Sequence, residues 1–168
     1  LIAASTLEKG LLTLSKRMAE SASGGAAQQA LFKTLGVSAL DAAGSGLLVE
    51  PVIRFDHELS VIVARSGRGE TVAYPPVETV QRDGRCHEVF TPATVGDQQL
   101  RDARSLAVTI ANAIDLVGTM AVELFATTGG LLLNELAVRT HNSGHLTIEA
   151  CATSQFENHL RAILDLPL

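Results

Sequence analysis

Two apolar runs, "GTMAVELF" and "LLLNELAV", flank the turn "TTGG" between residues 118 and 138 and constrain the fold more than anything else in this chain. Runs of this length and composition, closed by a Thr/Gly turn, read as an antiparallel hairpin. Counting outward from Gly129 puts Glu123 opposite Glu135, each six positions away, and side-chain alternation then points both to one face. Like charges facing each other on adjacent strands destabilise the pair, and apolar surroundings raise the cost of an unpaired carboxylate. Two readings follow. In one, a cation sits between the carboxylates, and a hard ion such as magnesium suits two carboxylates and the adjacent Asn134 amide. In the other, both strands are two-faced and the glutamates meet solvent.

The hairpin runs directly into "RTHNSGH", residues 139–145. His141 and His145 would share one face of a helix, but Ser143 and Gly144 between them read as a loop. Neutral histidine and asparagine can hydrogen-bond a small anion or carbonyl, and Arg139 adds a fixed charge with bidentate geometry. The competing reading is a loop pinned by its own side chains.

Elsewhere the elements mix. "LLVEPVI", "ELSVIVAR" and "ETVAY" read as strands, and "PPVETVQRDGRCHEVF" as an extended pair around Asp83-Gly84. From Asp97 to Leu116, apolar Leu100, Ala103, Leu106, Ala107, Ile110 and Ile114 lie on one helical face. "IEACATSQFENHLRAILDL" reads as a closing helix that ends at Pro167. Residues 1–47 form a different segment of short helices and Gly/Ser loops, so the expected division is 1–47 and 48–168. Strands and helices without regular alternation predict an α+β fold.

Composition narrows the function. In 168 residues, 13 Lys and Arg face 18 Asp and Glu, and a net charge of -5 disfavours nucleic acid as a partner. Cys86 and Cys151 lack the spacing of a zinc site or a disulfide framework, which points to a reduced cytoplasm. No apolar run approaches the roughly 18 residues of a membrane span, and the first residues lack signal-peptide order. The chain starts at Leu rather than Met, which reads as a fragment.

Taken in order, "LLVEPVIRFDHELSVIVARS", "AYPPVETVQRDG", "LVGTMAVELF", "NELAVRTHNSGH" and "TSQFENHLRAILDLPL" resemble the 5-(carboxyamino)imidazole ribonucleotide synthases, ATP-grasp ligases of de novo purine synthesis. The resemblance covers Leu47 to Leu168, the C-terminal part of the ATP-grasp domain. It implies an ATP-grasp antiparallel sheet with packed helices, incomplete relative to the family. It also implies ATP and Mg2+ as cofactors, bicarbonate and 5-aminoimidazole ribonucleotide as substrates, and a homodimer. By position, Glu50, Pro51, Val52 and Ile53 would meet the adenine, Glu58 the ribose hydroxyls, and Gln81 the nucleotide. Glu123 and Glu135 would hold the metal, with Asn134 beside the phosphates. Arg139, His141 and Asn142 would face bicarbonate and the carboxyphosphate made from it.

The chain departs from the family near Gly24 and Gly25, where the Asp-Gly-Lys core of the flexible glycine loop is missing and neither Lys16 nor Lys33 has matching context. Two alternatives therefore stand beside the carboxylase. One is another ATP-grasp ligase, such as a formate-dependent glycinamide ribonucleotide transformylase, disfavoured by "HNSGH". The other is a non-catalytic nucleotide-binding or assembly module, favoured by the missing core.

Overall fold

The computed structural model of the chain describes residues 53–168. The segment 1–47, the strand expected around Leu47, and Glu50, Pro51 and Val52 lie outside the described residues. Arg54–Leu168 form one compact unit.

Among the described residues six strands make one antiparallel sheet: β1 (His57–Arg65), β2 (Thr71–Ala73), β3 (Val77–Arg82), β4 (Arg85–Phe90), β5 (Gly118–Thr127) and β6 (Gly130–Ala137). The order is β4-β3-β1-β5-β6, and β2 pairs with the end of β1 beyond β3. The central strand β1 is covered on both faces, which is why "LSVIVA" reads as an almost unbroken apolar run. The β3–β4 hairpin turns through Asp83 (φ 52) and Gly84 (φ 70), the left-handed pair whose twist matches the flanking strands.

Alternation sorts the two faces. Leu59, Val61 and Val63 of β1 and Met120, Val122, Leu124 and Ala126 of β5 form the main core. Each large side chain buried there contributes about 1.5–3 kcal/mol. Helix α1 (Asp97–Ala113) covers that core through Ala103, Ala107 and Ala111, one per turn and all fully buried, so its backbone lies close to the sheet. The helix stops at Ala113, leaving Ile114 as its C-cap and about half exposed.

The opposite face carries Glu58, Ser60 and Ile62 of β1 beside Phe125, Glu123 and Ala121 of β5. Over it fold the loop from Val138, a single 3-10 turn (Asn142–Gly144), the short helix α2 (Thr147–Ala150) and helix α3 (Gln155–Ile163). The sequence predicted one closing helix where the structure has two. Cys151 is extended, and the Ser154 hydroxyl caps α3 by accepting from the Glu157 N–H at 3.2 Å, which starts a new helix there. Helix α3 docks against β5 where His159 Nδ1 accepts from the Thr119 N–H at 3.1 Å.

Candidate active site

The two glutamates do face each other, by a route simple counting misses. Near the turn Thr127 pairs with Gly130 and Leu124 with Leu133, a register that would set Glu123 against Asn134. Glu123 pairs instead with Glu135, so Asn134 is the extra residue of a β-bulge. The bulge breaks strict alternation and lets the sequence neighbours Asn134 and Glu135 both line one cavity.

That cavity is open and holds about 590 Å³. The sheet supplies Glu58, Gln81, Arg85, Cys86, Glu123, Asn134 and Glu135 to its wall, the β3–β4 turn supplies Gly84, and the loop supplies His141 and Asn142. Gln81 and Cys86 are cross-strand partners. Counting around Asp83-Gly84 would have paired them, so Cys86 was findable at the site. Arg139 is not among the lining residues; its guanidinium donates to the Thr140 carbonyl at 3.0 Å. Ile53 lies in coil ahead of the sheet.

Electrostatics set these groups apart from ordinary surface carboxylates. Burial pushes the Glu123 carboxyl up, and the charges of Glu135 and Glu58 push it further; Arg139 and the Asn134 amide pull the other way. Burial also raises Glu58. His141 is lowered, first by burial and then by Arg139, so its imidazole is neutral near pH 7. Its contact with Glu123, Nε2 to Oε1 at 3.3 Å, is therefore a hydrogen bond rather than an ion pair.

The surrounding network assigns the tautomer. Nδ1 accepts from the Ser143 N–H at 3.4 Å and so carries no proton; the Ser143 hydroxyl, 2.9 Å from Nδ1 and 2.7 Å from Ser60 Oγ, donates to the same nitrogen, leaving Nε2–H to donate to Glu123. The loop is thus pinned by its own side chains and also presents a group to the cavity. Ser60 escaped the sequence reading, although its place two residues after Glu58 on an alternating strand is a signal for the same face.

Glu123, Glu135 and His141 each offer a ligand atom, all within 4.8 Å of one another. Since both imidazole nitrogens of His141 are engaged, the available donors are carboxylate oxygens and the Asn134 amide. An oxygen set with two opposed carboxylates fits magnesium better than a softer metal.

Among known proteins, the ATP-grasp domain family matches residues 18–156. The N5-carboxyaminoimidazole ribonucleotide synthase of Mycobacterium bovis is 53% identical over 129 residues, covering 76% of this chain and 30% of that enzyme. The crystal structure of the Thermus thermophilus N5-carboxyaminoimidazole ribonucleotide synthetase superposes with a TM-score of 0.72 at 40% identity, covering 87% of this chain and 39% of that one. The Aspergillus clavatus synthase, solved with ADP and 5-aminoimidazole ribonucleotide, gives a TM-score of 0.67 at 47% identity, covering 70% and 32%. The chain spans about a third of the length of these relatives. With an antiparallel sheet and packed helices of the same fold, and a family match over most of its length, the chain belongs to the ATP-grasp family.

Proposed function

We propose that this chain carries the metal-binding and acid-binding part of an ATP-dependent ligase that carboxylates 5-aminoimidazole ribonucleotide with bicarbonate in purine biosynthesis. One observation carries the reading: the opposed Glu123 and Glu135, Asn134 beside them, and the His141-Asn142 loop line a single cavity. The names of the relatives support the same substrate and product.

In this reading Glu123 and Glu135 hold magnesium and Asn134 contacts the nucleotide phosphates. Glu58 takes the ribose hydroxyls, Gln81 contacts the nucleotide, and the strand with Glu50 to Ile53 meets the adenine. When bound, magnesium would offset the charge of the phosphate oxygens. A bicarbonate oxygen forms the bond to the γ-phosphorus as the bond to ADP breaks. The resulting carboxyphosphate then passes its carboxyl group to the substrate amine and releases phosphate. Arg139 supplies positive charge toward the bicarbonate and the Asn142 amide orients it, while the His141 Nε2–H, which donates to Glu123 in the metal-free chain, would turn to the bicarbonate once Glu123 holds the metal. Donors arranged for the extra oxygen of bicarbonate, among them the buried His141, would be left without a partner by formate, which disfavours a formyl-transferring relative. Among the described residues no helix is long and apolar enough to cross a membrane. A cytoplasmic homodimer belongs to the same proposal.

The test is a chimera in which residues 54–168 replace the matched segment of the Thermus thermophilus enzyme. ADP release should require bicarbonate and rise with 5-aminoimidazole ribonucleotide, while formate with glycinamide ribonucleotide gives none. A chimera that binds magnesium-ADP yet responds to formate, or fails to respond to bicarbonate, would refute the assignment.

A further inference from the structure

The His141 loop is held from behind by a side chain that is not part of the cavity wall. Gln155, the first residue of α3, is fully buried. Its Oε1 accepts from the His141 N–H at 3.0 Å, and its Nε2 donates to the His141 carbonyl at 2.6 Å. One side-chain amide thereby pairs with both backbone groups of one residue, as a neighbouring strand would.

Gln155 is itself fixed in place. Its N–H donates to Thr147 Oγ1 at 2.9 Å, and that hydroxyl donates to the Gly144 carbonyl at 2.6 Å. Gly144 makes the room: a Cβ there would stand 2.5 Å from Gln155 Oε1 and 2.6 Å from Cδ, with no solvent for the buried amide to move into. Glutamate at 155 would lose the donor to the His141 carbonyl, and an apolar side chain would lose both bonds.

His141 is thus gripped twice. Gln155 holds its backbone, while Ser143, backed by Ser60, holds Nδ1 and leaves Nε2 directed at Glu123. We propose that Gln155 is a positioning residue for the acid-binding loop: by fixing the His141 backbone it aims the imidazole into the cavity and keeps Nδ1 in reach of Ser143, whose contact sets the Nε2–H tautomer. The catalytic consequence rests on the reading of His141 as a bicarbonate-binding group; the geometric claim does not.

The experiment uses the 168-residue chain with ¹⁵N-labelled histidine. Gln155→Met nearly keeps the volume and removes both hydrogen bonds. It should speed exchange of the His141 amide proton by about 10- to 100-fold relative to β5 amides. The His141 ring nitrogens should change from a single Nε2–H signature to averaged tautomers. Magnesium-ADP affinity should change less than about threefold, because Gln155 is not in the cavity wall. Gly144→Ala, which displaces the same amide from the other side, should reproduce both His141 changes, and combining the two should add little to either. If Gln155→Met does not fold, Gly144→Ala decides the question alone. An unchanged ring signature, or loss of β5 protection as large as that at His141, overturns the proposal. Failure of bicarbonate-dependent turnover in the chimera would remove the function assigned to His141, while the ring signature would still decide whether Gln155 positions it.

Discussion

Replacing Glu135 by glutamine should have opposite effects with and without metal. Ligand atoms on Glu123 and Glu135 lie within 4.8 Å of each other. Two unit charges at that separation repel by about 3.5 kcal/mol at an effective dielectric constant of about 20. Glu135 is exposed, so solvent and salt reduce this to about 1 kcal/mol. The raised Glu123 carboxyl, shifted by burial first and by Glu135 next, carries the sign. A carboxyl raised on folding contributes stability below its ordinary value, and that contribution is lost as pH rises through the raised value. With both carboxylates ionised, Glu135→Gln removes the like charge and should raise the melting temperature of the metal-free chain by about 2–4 °C. Magnesium-ADP should reverse the order. At a free concentration of about 100 times Kd the wild type gains about 2.7 kcal/mol, or about 5–10 °C. The variant should gain little, having lost half of its anionic metal ligands. Thermal denaturation at pH 7.5 with and without magnesium-ADP measures both effects. A variant that melts below wild type without metal, or that gains the same shift with it, would refute the reasoning.

Two further outcomes can be measured. Glu78 ties β3 to His57 at 2.8 Å and to the Thr94 N–H at 3.0 Å, and although burial pushes its carboxyl up, the His57 and Thr94 hydrogen bonds win and hold it at about 2. Its stabilisation is present above about 4.5 and lost as pH falls from there to about 2; discounted for screening it is about 1–2 kcal/mol. Glu78→Gln should lower the urea midpoint at pH 7 and flatten the acid limb of stability, and equal pH slopes in both proteins would rule this out. In the chimera, His141→Ala should reduce bicarbonate-dependent ADP release by about tenfold or more while magnesium-ADP affinity changes little. A variant that loses nucleotide binding instead would place His141 at the wrong end of the site.

What could be read from sequence depended on whether the partner of a residue was another side chain. The Ala103 and Ala107 face of α1 was legible because apolar residues recur at helical spacing, and β1 and β5 because they read as nearly unbroken apolar runs. Ala111 lay outside the expected stripe, and Leu132, Leu133 and Leu136 of β6 are exposed. Glu123 and Glu135 were legible as a pair, but the bulge at Asn134 was not, since two compensating one-residue offsets leave the same two residues opposed. The break before α3 was present in sequence as Ser154 and Glu157 in capping positions, and the apolar periodicity running through it hid the signal. Arg139, grouped with His141 by sequence, bears by charge on both Glu123 and His141, while its guanidinium donates to the Thr140 carbonyl. Gln155 had no legible counterpart at all: its partners are the N–H and C=O of His141, 14 positions away, and every non-proline residue carries those groups. A polar cluster in a loop is therefore ambiguous from sequence between pinning and binding. Here one imidazole does the first with Nδ1, through Ser143, and leaves Nε2 to Glu123 at the cavity, so the two readings describe different atoms of the same side chain.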